Sequence, residues 1–176
     1  EYDSAFFDKT AKFLKYLPDI AVVNNVEFDH ADIYADLDAV RTAFVRLVRL
    51  VPRRGLLLVG IDSPIAAGLV PGAVSRVETF GLAAEADWQA YDLEPVGTST
   101  RFHVRRAGAP FGSFEVPLLG AHNVRNALAA IAVATEIGVD PPRLAAGLRT
   151  FAGVKRRLEV VGVAGGVTVF DHFAHH

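Results

Sequence analysis

The apolar positions of this chain fall into two textures. Ile20-Ala21-Val22-Val23 and Gly55-Leu56-Leu57-Leu58-Val59-Gly60-Ile61 are short unbroken hydrophobic runs, the pattern of strands buried on both faces of a parallel sheet. Between them Leu37, Val40, Phe44, Leu47, Val48 and Val51 recur at helical spacing, with Asp36 placed to cap the first turn. Asp62-Ser63-Pro64 supplies a second cap and a proline at the first helical position, predicting a short helix to about Leu69. From Arg76 the texture changes. The runs Val77 to Phe80, Trp88 to Leu93, Arg101 to Arg105 and Ser113 to Leu118 are short, alternate in polarity and are separated by turn residues, predicting a small antiparallel sheet with one wet face and Trp88 in the core. Glu1 to Asp19 has no clean period and is expected to be irregular or partly helical.

Leu119-Gly120-Ala121-His122-Asn123 opens another helix, with Val124, Leu128, Ile131 and Thr135 on one stripe and Gly138 in the usual terminating place. Asp140-Pro141-Pro142 caps a shorter one carrying Leu144 and Leu148. Phe151 to Arg157 then crosses to the run Leu158 to Val163, and Ala164-Gly165-Gly166-Val167 reads as a hairpin turn. The expected fold is α/β: a mixed, mainly parallel sheet with helices plus a small antiparallel sheet, with a domain boundary near Arg157.

Composition narrows the function classes. With 176 residues, 51% hydrophobic and 22% charged, the chain is an ordinary globular protein, and a net charge of -2 gives no sequence-independent pull toward nucleic acid. No apolar run approaches the roughly 20 residues of a membrane span, so a soluble protein with no membrane partner is expected. Absence of cysteine removes disulfides, thiolate metal sites and cysteine nucleophiles, which suits the cytoplasm and leaves any metal to His and carboxylates. With no Met and no signal-peptide pattern at Glu-Tyr-Asp, the sequence is expected to be a piece of a longer protein.

Candidate chemistry gathers in three places. Asn24 to His30 follows a predicted strand, where open α/β sheets bind ligands, so Asp29 and His30 are candidates for metal or phosphate work, although a bare Asp-His pair also suits a solvated loop. Polar residues collect at the start of the helix from Gly120, and Lys155, Arg156 and Arg157 are three consecutive cations at the crossing. Arg41, Arg46 and Arg49 read as a solvated helix flank.

Four stretches occur in a known order: Asn25-Val26-Glu27-Phe28-Asp29-His30, Gly120-Ala121-His122-Asn123-Val124-Arg125-Asn126, Gly153-Val154-Lys155-Arg156-Arg157-Leu158-Glu159 and Asp171-His172-Phe173-Ala174-His175-His176. Together they resemble the Mur ligases, the ATP-dependent amide-forming enzymes of bacterial cell-wall synthesis. The resemblance implies residues 1–157 as the later part of a P-loop-type, ATP-binding central domain and 158–176 as the first strands of a Rossmann-like carboxyl-terminal domain. Glu1 to Lys9 most resembles the branch that joins the murein tripeptide L-alanyl-γ-D-glutamyl-meso-diaminopimelate to UDP-N-acetylmuramate. The branch that adds L-alanine to the same nucleotide sugar is the runner-up.

The implied cofactors are ATP and Mg2+. His30 corresponds to the family's metal-ligand histidine, with Asp29 placed to orient it. Asn123 corresponds to the adenine-binding asparagine, whose carboxamide matches the N6 donor and N7 acceptor of adenine; capping its own helix is the structural alternative. Asn126 lies one turn along to hold Asn123 or the ring, and His122 supports them. Arg157 matches the arginine directed at the terminal phosphate. Asp171 and His175 belong to the first motif of the closing domain, where His172 replaces the usual Asp placed for the ribose. No Gly-rich phosphate loop ending in Lys-Ser or Lys-Thr is present, so the resemblance places that loop and a metal-binding glutamate before Glu1, and the 176 residues by themselves are expected to be catalytically silent. No lysine occurs between Lys15 and Lys155, which sets the chain apart from relatives that use a carbamylated lysine. Two other readings stay open: a metal-dependent hydrolase built from Asp29, His30, Asp171, His175 and His176, and a nucleotide-binding or assembly module without turnover.

Overall fold

A computed structural model describes residues 2–4, 7–157 and 159–173. The lead-in is a small antiparallel pair, β1 (Tyr2–Ser4) with β2 (Asp8–Ala11), followed by a 3-10 turn over Lys12–Lys15. Strands of three and four residues are too short to show an alternating period, which is why the sequence reads as irregular there. Next come β3 (Ile20–Val23), α1 (Leu37–Leu50), β4 (Leu56–Gly60), α2 (Pro64–Ala67) and a 3-10 turn at Val70–Gly72. Then β5 (Arg76–Gly81), β6 (Trp88–Val96), β7 (Ser99–Arg106) and β8 (Ala109–Val116) lead to α3 (Ala121–Glu136) and α4 (Pro141–Arg149). A final antiparallel pair is β9 (Glu159–Ala164) with β10 (Val167–Asp171).

The expected caps form. Asp36 accepts from the Ala39 amide at 2.8 Å and Asp140 from that of Arg143 at 3.0 Å. Ser63 accepts from Ala66 at 3.4 Å, but the helix it starts ends at Ala67 and passes into the 3-10 turn rather than reaching Leu69. Gly138 closes α3 at φ 91, and Gly165 and Gly166, both at positive φ, make the two-residue turn between β9 and β10.

One sheet of order β3-β4-β5-β6-β7-β8 carries the domain, parallel from β3 to β6 and antiparallel from β6 to β8. The run Val77 to Phe80, expected among the antiparallel strands, pairs parallel with β4 instead, and the antiparallel strands extend the same sheet. Its polar residues disguise it. Glu78 accepts from the Trp88 indole at 2.6 Å, Thr79 bonds Asp87 at 2.8 Å and Arg76 pairs with Glu136, so a parallel strand reads as half-wet. Every residue of β4 is buried, and its pleat sorts them: Leu56 and Leu58 face the core under α3, Leu57 and Val59 the core under α1. Val40, Ala43, Leu47 and Val48 form the buried stripe of α1. Trp88, Phe102 and Phe114 belong to the core on the other side, as expected for the dry face of β6 to β8. Among the described residues no helix is long and apolar enough to cross a membrane.

The hairpin β9–β10 contrasts with β4. Every described residue of β9 is exposed, and on β10 only Asp171 is partly covered. It is tied to the preceding segment by the Phe173 amide, which donates to the Arg156 carbonyl at 2.6 Å, and by the Arg156 guanidinium, 3.7 Å from Asp171 and 5.0 Å above the Phe173 ring.

Candidate functional site

The carboxyl ends of β3, β4 and β5 and the amino end of α3 converge. At the first of these a side chain on Gly60 would stand 2.1 Å from the Asn24 carbonyl oxygen, so only glycine lets β3 and β4 run on together to this edge. Two residues later the chain places Asp62. Its carboxylate accepts from the amides of Leu82, at 3.0 Å, and Ala83, at 3.2 Å, and from Arg125 Nε at 2.5 Å. A Cβ on Gly81 would lie 2.7 Å from that carboxylate, so the space it fills is opened by a missing side chain. Burial pushes the Asp62 carboxyl up, but the Arg125 hydrogen bond, the two amides and the guanidinium charge outweigh it and hold the group below the ordinary carboxylate range.

Arg125 stands in the second turn of α3, and its neighbour is tied as well: Asn24 Nδ2 donates to Asn126 Oδ1 at 3.0 Å. The helix is therefore fastened to β3 through Asn126 and to the β4–β5 edge through Arg125. Ser63 Oγ completes the edge by accepting from the Val26 amide at 3.5 Å. Two cavities flank the start of α3. One, of about 570 Å³, lies between the loop after β3, the start of α2 and α3, with Asn24, Glu27, Asp62, Ser63 and Arg125 in its wall. The other, of about 420 Å³, lies between α3 and the crossing segment, and His122 and Asn126 belong to both.

Of the residues expected to meet a nucleotide, His122, Asn123, Asn126 and Arg157 are brought together by the second cavity. His122, Asn123 and Asn126 line it from α3, facing Arg157 and His172 across Leu118 and Val154. Asn123 Nδ2 donates to the Leu119 carbonyl at 2.8 Å, which orients the carboxamide while its oxygen takes no partner among the described residues. Asn126 does not hold Asn123; its carboxamide oxygen is engaged by Asn24. Asp29 and His30 line neither cavity. They form a local pair: the His30 amide donates to Asp29 Oδ1 at 2.7 Å, and His30 Nε2 lies 3.7 Å from Oδ2, with His30 in the left-handed region at φ 55. Side chains 38% and 41% exposed leave room for a hard cation, which takes few protein ligands when phosphate oxygens and water complete its shell. Asp171 also lies outside the cavity wall and pairs with Arg156, while its neighbour His172 lines it. His175 and His176 fall outside the described residues. Among those described, no group of three His, Asp or Glu is close enough to hold a metal, so Asp29, His30 and Asp171 do not form a hydrolase cage.

Asp62 and Arg125 are the residues that sequence reasoning passed over. Asp62 follows a fully buried strand as Asn24 to His30 follows β3, and the same strand-end argument points to it; its capping pattern with Ser63 and Pro64 hid that.

Residues 3–134 match the Mur ligase middle domain. The chain is 42% identical over 177 residues to the UDP-N-acetylmuramate–L-alanyl-γ-D-glutamyl-meso-2,6-diaminoheptandioate ligase of Escherichia coli, covering 100% of this chain and 38% of that protein. It is 41% identical over 169 residues to the UDP-N-acetylmuramate–L-alanine ligase of Solibacter usitatus, covering 96% of this chain and 36% of that one. The solved structure of the UDP-N-acetylmuramate:L-alanyl-γ-D-glutamyl-meso-diaminopimelate ligase from Neisseria meningitides superposes with a TM-score of 0.76 at 43% identity, over 89% of this chain and 47% of that chain. The chain thus spans little more than a third of the curated relatives it matches, 36% and 38%.

The Asp62 carboxyl has a folded pKa below its unfolded one, so its contribution to stability is complete above the ordinary carboxylate value of about 4 and is lost as pH falls through the lower folded value. Asp62→Asn should lower the melting temperature at neutral pH, with the gap to the parent protein closing as the pH is taken below about 4. A gap that stays constant down to about pH 2 would mean that the charge on Asp62 contributes nothing to stability.

Proposed function

The chain belongs to the Mur ligase family through its middle domain, and from that membership we propose that it is the nucleotide-handling part of a cytoplasmic ATP-dependent ligase that joins L-alanyl-γ-D-glutamyl-meso-diaminopimelate to UDP-N-acetylmuramate. The observation that carries this reading is the meeting of Asn123, His122 and Arg157 around one cavity, from segments more than thirty residues apart. Asn123, oriented through Leu119, takes the adenine with its carboxamide. Asn126 keeps the helix in register for that contact through Asn24, and His122 forms the adjoining wall.

Arg157 brings a planar cation to the opposite wall, suited to the oxygens of a terminal phosphate. His30 holds Mg2+ with Asp29 beside it as orienter, a role that the exposed pair fits. When bound, ATP and Mg2+ supply activation of a substrate carboxylate and neutralisation of phosphate charge. This chain's residues bind and position. The exposed apolar hairpin β9–β10 supports a domain boundary near Arg157, with Asp171 and His175 in the first motif of a closing domain. The L-alanine-adding branch is the second reading, favoured by the 41% identity to such a ligase.

In the full-length enzyme, Asn123→Ala should weaken ATP binding by about 1 to 3 kcal/mol, the worth of a bidentate base contact, and change GTP binding less. Equal losses for the two nucleotides in a titration would reduce Asn123 to a residue that only orders the start of α3. His30→Ala should raise the Mg2+ concentration needed for half-maximal turnover and leave metal-free ATP affinity where it was. An unchanged Mg2+ requirement removes His30 from the site. Product analysis with both acceptors should show the tripeptide joined in preference to L-alanine; alanine alone joined to the nucleotide sugar would move the protein to the neighbouring branch.

A further inference from the structure

Of the three consecutive cations at the crossing, Lys155, Arg156 and Arg157, the nucleotide reading uses only the last. Arg156 stays out of the 420 Å³ cavity and holds the hairpin β9–β10 through both its backbone and its side chain. Its amide donates to Glu159 Oε2 at 2.9 Å, at the start of β9, and its carbonyl accepts from the Phe173 amide at 2.6 Å, just past β10. Its guanidinium lies 3.7 Å from Asp171 and 5.0 Å above the Phe173 ring. Arg156 has φ 60, in the left-handed region that a long side chain seldom enters, and such a conformation persists where the surroundings over-determine it. The residues on either side of this clasp point elsewhere. Arg157, next to Arg156, lines the cavity, and so does His172, between Asp171 and Phe173. No hydrogen-bond or ion-pair partner among the described residues directs the Arg157 guanidinium, so its place is set by the backbone that carries it. An ion pair whose side chains are 60% and 46% exposed contributes little to stability. What it fixes is the strand that carries His172 against the segment that carries Arg157.

We propose that Arg156 is a positioning residue for the ligase reaction: clasped to Asp171 and Phe173, it brings Arg157 and His172 to the cavity wall as one unit, so that guanidinium and imidazole meet a phosphate-bearing ligand together. This rests on the ligase reading, which supplies that ligand. Arg156 itself touches no ligand and acts through its neighbours. Positioning supplies most of phosphoryl-transfer catalysis, so loss of the clasp shows in turnover. The adenine contact proposed for Asn123 stands on α3 and is left in place.

The test is a double-mutant cycle in the full-length enzyme, read by kcat, by ATP titration and by thermal melting. Arg156→Ala should lower kcat about ten- to hundredfold, the scale of a catalytic group misplaced by about an ångström. Alanine is as disfavoured as arginine at positive φ, so the comparison isolates the side chain. Affinity for ATP should stay within about threefold, because a positioning residue is lost and no ligand contact. The melting temperature should stay within about 2 °C, as expected for an exposed pair. Arg156→Lys keeps a charge opposite Asp171 without the planar group over Phe173 and should recover part of the turnover. Asp171→Ala removes the other half of the clasp, and the double variant should be no slower than the slower single variant, because the two side chains act as one unit. Losses that multiply in the double variant, ATP affinity that falls in step with kcat, a melting temperature that falls with it, or an unchanged kcat would each overturn the assignment. A parent enzyme that binds no ATP and forms no amide would instead remove the ligase reading, and this role of Arg156 with it.

Discussion

The ion pair between Asp62 and Arg125 joins sheet to helix across 63 residues of sequence, and the site depends on it because it sets the rotation of α3. On a helix, residues three and four apart share a face. His122, Arg125 and Asn126 therefore present one side to the sheet edge, and Asn123 with Asn126 presents the next side to the crossing segment. A turn of α3 by one residue would break both ties and carry Asn123 off its wall. The second tie, Asn24 to Asn126, resists that rotation from β3, and the absent side chains at Gly60 and Gly81 let these groups reach one another.

What was legible in the sequence is what is decided locally. Asp36 and Asp140 cap because the amide each accepts from lies three residues on, and Gly165-Gly166 turns because both residues take positive φ. Two short unbroken runs of apolar residues and one helical stripe sufficed for β3, β4 and α1. Where partners are distant, pattern failed. Val77 to Phe80 took on an alternating look because Glu78 and Thr79 serve Trp88 and Asp87, and Asp62 looked like a cap because Leu82, Ala83 and Arg125 come together with it only in three dimensions. Asn123 and Arg157 were reached by family resemblance, and neither periodicity nor composition marks them. His30 was reached from the strand end, and its place outside both cavities follows from the turn it starts, where its carbonyl accepts from Ile33 and Tyr34 at 2.9 and 3.0 Å.

Similar sequence texture has opposite fates in two parts of the chain. β4 and the hairpin β9–β10 are both rich in branched apolar residues, yet β4 is covered on both faces and the hairpin on neither. Val161, Val163 and Val167 are each about two-thirds exposed, at 66%, 67% and 64%, and they do not share one side of the ribbon. Such a ribbon adheres to whatever apolar surface or free strand edge it meets. A two-stranded ribbon of this kind gains firmness only where another surface covers it, and by itself it contributes little to the stability of the domain that carries it.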